Sequence, residues 1–139
     1  MEYSIKQVAG MLNITEHTIR YYTDINLFPC RRGRGNRRIF DEESVNWLIG
    51  IKNLRACGMS IESIKEYCDL CLRGEDEIAR RFEIIQEQMK IAKSRLDDAQ
   101  RVYDYMVQKV GHYQEIMDKR IADDTNPSTW NKTEQSVTA

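Results

Sequence analysis

Twelve positions, Ile78, Phe82, Ile85, Met89, Ala92, Leu96, Ala99, Tyr103, Met106, Val110, Tyr113 and Met117, follow one another at alternating steps of four and three residues. That period is the heptad seam of a helix that packs along another helix. At 1.5 Å per residue the segment would extend ~60 Å, longer than a globular domain of this size is wide. The stripe needs a partner, and a second copy of the chain is the simplest one. Phe82, Ile85, Met89, Ala92, Leu96, Ala99, Tyr103, Met106 and Val110 are the expected dimerisation residues. No Asn or Lys interrupts the seam to fix its register, so its direction is not readable from the pattern. Ala92 and Ala99 near the middle would allow close helix approach, and Gly111 weakens the last turns by ~1 kcal/mol relative to alanine.

Shorter amphipathic stretches precede it. Ser4 with Gln7 reads as a capping box opening a first helix whose inner stripe is Ile5, Val8 and Leu12, and the helix stops near Asn13. Thr15 caps a second helix from Glu16 to about Asn26, stapled by Ile14 and Ile19 and facing inward through Ile19, Tyr22 and Ile25. Two short helices about three residues apart, each with one apolar face, form a helix-turn-helix. Leu27-Phe28-Pro29 ends the second helix. In the following CRRGRGNRRIF stretch, two glycines and Asn36 supply turn geometry, and Arg37-Arg38-Ile39-Phe40 can pair back as a strand. This predicts a small two-stranded wing, against the alternative of a disordered basic loop.

Asp41 caps a third helix, stapled by Phe40 and Val45, with Val45, Leu48, Ile49, Ile51 and Leu54 as core positions and Gly58 at its end. Trp47 reads as a packing residue. Ser60 caps a fourth helix, stapled by Met59 and Ile64, with an inner face of Ile61, Ile64, Cys68 and Cys71, ending at Gly74. The expected organisation is a mainly α-helical chain: a winged helix-turn-helix head over 1–74, a long coiled-coil helix over 75–121, and a disordered polar tail over 122–139.

Charge sharpens this picture. The chain of 139 residues carries a formal net charge of −1, but unevenly. Between His17 and Phe40 stand six arginines and one acid, a net +5, whereas from Ile61 onward 12 basic face 16 acidic residues, a net −4. A basic head on an acidic stalk suits an anion-binding module, and five arginines within residues 31–38 are dense for a merely solvated loop. His17, Thr18, Arg20 and Tyr21 lie on the outer face of the second helix, a set suited to base edges and phosphates.

No apolar run has membrane length, and the first residues lack a secretory core, so four cysteines imply free thiols in a reducing cytoplasm. Cys68-x-x-Cys71 is in phase with Ile61 and Ile64. That favours small core hydrophobes over a redox or zinc pair, although a thiol-based redox or metal-binding protein stands as the alternative. Cys30 reads as the most exposed thiol, among arginines that favour its thiolate. His17 and His112 pair with no acidic motif, and no nucleophile–base arrangement points to an enzyme or a cofactor.

Three motifs resemble the MerR family of bacterial transcription regulators: Thr18-Ile19-Arg20-Tyr21-Tyr22 with Leu27-Phe28-Pro29, Gly35-Asn36-Arg37-Arg38-Ile39-Phe40, and Leu54-Arg55-Ala56-Cys57-Gly58-Met59-Ser60-Ile61. The resemblance covers residues 3 to about 74, with the long helix matching in pattern only. It implies a homodimer joined by antiparallel long helices, each head placing its second helix in a major groove of promoter DNA and its wing on the flanking backbone. It further implies control of transcription by distorting the promoter spacer, with RNA polymerase reached only through that promoter, at the nucleoid of a bacterial cytoplasm. Arg20, Tyr21 and Tyr22 match recognition-helix positions, Arg38 the wing arginine, and Arg55 a phosphate-binding residue; His17, Thr18, Arg34 and Arg37 complete the expected DNA-binding set. The spacing also places Tyr22 with the core. Arg37 stands where the family often has tyrosine, exchanging a groove-edge aromatic for a phosphate contact.

The cysteines of the family's metal sensors, beyond the long helix, are absent, so no metal site is expected. The short chain most resembles the aldehyde- and thiol-stress branch. That branch often has cysteine where Asn53 stands; Cys57, one helical turn on, and Cys30 are the candidate thiol sensors. A non-specific DNA-bending architectural protein is the remaining alternative.

Overall fold

The structure is a computed structural model in which residues 1–131 are described, so the tail predicted from Ala122 is seen to Asn131 and its remainder lies outside the described residues. The chain divides into two compact units, Met1–Ala92 and Lys93–Ala139.

In the first unit, each predicted helix start is present. Ser4 and Gln7 form a reciprocal capping box at α1 (Ile5–Leu12), and Asn13 closes that helix in the left-handed region at φ 54°. Thr15 accepts the Thr18 amide to open α2 (Glu16–Asp24). Asp41 accepts the Ser44 amide to open α3 (Glu42–Ala56), and Ser60 accepts the Ser63 amide to open α4 (Ile61–Arg73). Each side-chain cap satisfies an otherwise orphaned amide and contributes ~1 kcal/mol. Helix α2 stops two residues before the predicted Asn26, which turns out of the helix at φ 54°. The Lys65 ammonium on α4 donates to the Asn26 carbonyl at 3.1 Å, fixing that exit.

Between α2 and α3 the predicted wing is formed by β1 (Arg31–Arg32) and β2 (Arg38–Ile39), antiparallel with Arg31 opposite Ile39 and Arg32 opposite Arg38. A 3-10 turn over Arg34–Asn36 joins them, with Gly35 at φ 64° and Asn36 at φ 58°. Gly33 is pressed against the wing: a Cβ there would lie 2.5 Å from Ile39 Cδ1. Phe40 continues the hairpin by pairing with Tyr3, whose amide donates to the Phe40 carbonyl at 2.6 Å. This link between the chain's start and the wing has no local sequence signature.

The staples all reach the core. Ile19, Phe40, Met59 and Ile64 are fully buried, with Val8, Leu27, Leu48 and Ile51 between them. Ile49, expected in that core, is instead 41% exposed. The buried face of α3 is set by Ser44, Val45, Leu48 and Ile51, and Ile49 lies roughly 110° around the helix from its centre.

The long helix α5 runs Ile78–Met117. Its opening turns in the first unit carry two stripes. Ile84, out of phase with the seam, packs into the head core. The Arg81 guanidinium reaches the Cys71 Sγ at 3.8 Å and the Gly74 carbonyl at 3.4 Å. Arg80 binds Glu66 on α4 at 2.7 Å and Glu83 at 3.1 Å. The seam residues Ile78, Phe82, Ile85 and Met89 remain exposed.

In the second unit α5 continues with Leu96, Tyr103, Met106, Val110, Tyr113 and Met117 all exposed. Lys109 lies over the rings of Tyr105 and Tyr113, and Lys93 pairs with Asp97 at 2.8 Å. Past α5, His112 Nε2 meets Asp124 at 2.5 Å, and the Trp130 indole donates to the Asp124 carbonyl at 2.7 Å. A 3-10 turn over Pro127–Thr129, capped by Asn126, lies between those contacts.

Cys68 is buried, as its spacing predicts, and burial is the main force that pushes its thiol up to about 11. A neutral thiol favoured by the fold stabilises it fully below the unfolded value of about 8.5, and that contribution is lost as pH rises toward the folded value. Denaturation midpoints compared at neutral pH and at pH ~10 should fall more for the native chain than for Cys68→Ala. Phe40→Ala should cost ~3–5 kcal/mol of unfolding free energy by chemical denaturation, whereas Ile49→Ala should stay within ~0.5 kcal/mol.

Candidate nucleic-acid interface

Helix α2 carries the polar face expected of it. Packing through Ile19 and Tyr22 turns His17, Arg20, Tyr21 and Asp24 outward, all exposed, with Thr18 half-buried beside them. The Thr15 hydroxyl, which caps the helix, also donates to the Thr18 hydroxyl at 2.8 Å. Arg20 leans on Glu16 at 3.4 Å. Such an exposed pair is worth little, so a phosphate can replace the carboxylate cheaply. Tyr21 stands 46% exposed with its ring centroid 6.1 Å from that of Tyr22.

Tyr22 does not share that face. It is 6% exposed and part of the hydrophobic core, and burial raises its phenol above the ordinary value, partly offset by the nearby Arg55. Of the two readings open for Tyr22, the core one describes its place.

Beside α2 the last turns of α3 supply further basic groups. Asn13, Ile14, Thr15, Thr18 and Tyr22 face Lys52, Arg55 and Ala56 across a concavity of about 340 Å³. The Lys52 ammonium donates to the Leu12 carbonyl at 2.5 Å, and the exposed Arg55 donates to the Met59 carbonyl at 3.0 Å. Lys52 is absent from the sequence-derived set. Its spacing of three from Arg55 on one helix was the available signal.

The wing presents four exposed arginines, Arg31, Arg32, Arg34 and Arg37. Arg31 is shared between Glu2 at 3.0 Å and Asp41 at 3.6 Å. The Ser44 amide and hydroxyl, more than that arginine, hold the Asp41 carboxyl below its ordinary value. Among the described residues Arg32 reaches the Asn36 carbonyl, at 3.3 Å. Arg34 and Arg37 pair with no acid among the described residues. Arg38 differs from them, since its guanidinium is turned back onto α2, where Nε donates to the Thr23 hydroxyl at 2.7 Å and Nη2 to Asp24 at 2.6 Å.

The thiol candidates separate by burial. Cys57 is exposed at the end of α3. Cys30 is half-buried, and burial outweighs Arg32 and Arg38 to push its thiol up, overturning the expectation of an exposed, arginine-favoured thiolate. Its Sγ points to the Ile39 carbonyl at 3.7 Å, inside the wing hairpin. A buried, alkaline-shifted Cys68 is likewise a poor nucleophile at neutral pH.

A nine-residue helix with an outward Arg-Tyr-His face is about as long as the ~12 Å major groove is wide. Flanking basic groups on α3 and the wing would then meet phosphates on either side.

Known proteins share this sequence pattern and fold. The family model described as "MerR HTH family regulatory protein" matches residues 3–71. An uncharacterized HTH-type transcriptional regulator of Haemophilus influenzae is 30% identical over 116 residues, covering 82% of this chain and 85% of that protein. A solved MerR-family regulator from Bacillus thuringiensis superposes with a TM-score of 0.67 at 33% identity, over 81% of this chain and 100% of that one. HiNmlR, a MerR family regulator lacking the sensor domain and solved bound to promoter DNA, superposes with a TM-score of 0.70 at 27% identity, over 84% of this chain and 94% of that one. With the recognition helix, wing and long helix all in place, this chain belongs to the MerR family and is a DNA-binding transcription regulator.

Proposed function

We propose that the chain acts as a homodimer that grips a near-palindromic promoter site and controls transcription by distorting the spacer DNA between its half-sites. The observation that carries this reading is the uncovered seam of α5. Phe82, Met89, Leu96, Tyr103, Met106 and Val110 are each more than half exposed, at the spacing of a helix pair. Burying such a side chain stabilises by ~1.5–3 kcal/mol, so a fraction of the seam suffices to offset the entropy of association. Antiparallel pairing, which the family resemblance implies, would bring Ala92 and Ala99 of the two copies near the crossing point, where small side chains permit close approach.

Each head would then set α2 into a major groove through His17, Thr18, Arg20 and Tyr21. Arg34, Arg37, Arg55 and Lys52 would lie on flanking phosphates. A dimer with fixed heads can hold a short duplex bent or untwisted, at a cost of a few kcal/mol that multiple phosphate contacts offset. RNA polymerase enters only through the reshaped promoter, and the cytoplasmic nucleoid is where such a protein would work. HiNmlR, at 27% identity, was solved bound to promoter DNA, which supports promoter reading by the head of this chain.

Leu96→Asp should shift sedimentation from dimer to monomer and sharply weaken binding to the promoter duplex. Arg20→Ala should weaken binding by ~1–3 kcal/mol while leaving the dimer intact. A native chain that sediments as a monomer at micromolar concentration yet binds as tightly would defeat the proposal. Spacer distortion is tested on transcription: shortening the spacer of a regulated promoter to the length polymerase prefers should abolish regulation without abolishing binding.

A further inference from the structure

We infer that Thr23 and Arg38 form a strut between the recognition helix and the wing, making buried Thr23 a positioning residue that sets DNA specificity without touching DNA. The inference rests on the DNA-binding role established above. The Thr23 hydroxyl is the centre of the strut: it donates to the Arg20 carbonyl at 2.8 Å and accepts from Arg38 Nε at 2.7 Å. Arg38 closes a second bond on the neighbouring Asp24 at 2.6 Å. One planar guanidinium thus grips two consecutive residues of α2, a two-point hold that a lysine ammonium cannot reproduce.

Burial separates this arginine from its neighbours. The Arg38 side chain is 19% exposed, and Thr23 is 4% exposed. Arg31, Arg32, Arg34 and Arg37 are all exposed. Two of the three guanidinium nitrogens of Arg38 are already committed within the protein, so its chief role is holding, where the sequence assigned it to phosphate.

The wing needs such a hold. Its strands are two residues each, far below the size that is stable alone. The Tyr3–Phe40 bridge ties the hairpin to the start of the chain, and the strut ties it to α2. Because the strut ends on the carbonyl of Arg20, the register of the wing is fixed against the turn of α2 that carries the recognition arginine. Losing it would free the wing to move relative to that helix, which weakens a site demanding both contacts at once. A random duplex, satisfied by phosphate contacts alone, would be bound as before.

The test uses the full chain, an inverted-repeat duplex selected by the native protein from a random library, and random duplex as competitor. Thr23→Val should lower affinity for the selected duplex by about tenfold, the order for one lost charge-assisted hydrogen bond, with random-duplex affinity and salt slope unchanged. Thr23→Ser, which keeps the hydroxyl, should restore native preference. Arg38→Lys should behave as Thr23→Val, and the double variant should be no worse than either single one.

A salt slope reduced by about one in Arg38→Ala, with equal losses on both duplexes, would make Arg38 a phosphate contact and overturn the strut. Native preference retained in Thr23→Val would overturn it equally. The strut is also read without DNA: the Arg38 Nε proton should exchange slowly in the native chain and rapidly in Thr23→Val, and equal rates would overturn it. Failure of the native protein to select any motif, with that exchange difference present, would instead count against sequence-specific regulation.

Discussion

The interaction on which the rest depends is the one α5 leaves unmade. Its opening turns serve two masters, since Ile84 and Arg81 are committed to α4 and the head while Phe82, Ile85 and Met89, one step around the helix, face water. A helix of this amphipathicity is stabilised mostly by what covers its apolar face, because propensity alone is marginal. The two stripes, one satisfied within the head and one still uncovered, are why the seam reads as an interface and not as loose packing. The same division explains why the head is stapled to α5 by Arg80 and Glu66 as well as by Ile84. If a second copy covers the seam, as proposed, it can orient a head only through a joint that does not swivel.

Legibility followed range. Helix starts depend on a side chain three residues from the amide it satisfies, so Ser4, Thr15, Asp41 and Ser60 could each be read locally, and so could the staples that follow them. Inner faces were readable where one stripe dominates, as in α2 and α4. In α3, apolar residues surround the helix, and nothing local says that Ile49 loses to Ser44 for a place inside. Contacts between distant segments were invisible: the Tyr3–Phe40 bridge, the Lys65 hold on Asn26, and the docking of Ile84. The exposed polar face of α2 was legible because its buried complement was. The protonation of Cys30 was misjudged for the opposite reason, since its arginine neighbours show in sequence and the desolvation that outweighs them does not.

The arginines of the wing illustrate how one residue type divides into two jobs. Charge density predicts an anion-binding loop and treats all five alike. In the fold, those at the tip and on the outer edge keep their charge in solvent, where forming and breaking ion pairs costs little. Arg38, on the inner strand, spends its fork on a hydroxyl and a carboxylate of α2. Electrostatic attraction to a polyanion needs only the first kind. Recognition of a particular site needs the second, because sequence is read only when base-contacting and backbone-contacting groups are presented in a fixed relation.

That requirement connects the two ends of the molecule. A dimer spanning two half-sites can deform the duplex between them only if force applied at the backbone is borne by a rigid head. A wing free to yield would absorb the strain before the DNA did. The proposed deformation would cost a few kcal/mol, comparable with a handful of good hydrogen bonds, so each tie that stiffens the wing bears on whether protein or duplex gives way. The Tyr3–Phe40 bridge and the Arg38 fork tie one hairpin to two other segments, while Gly33 lies close against Ile39 within it. Under the proposed distortion, a hairpin with two-residue strands would need to be held this closely to carry the load.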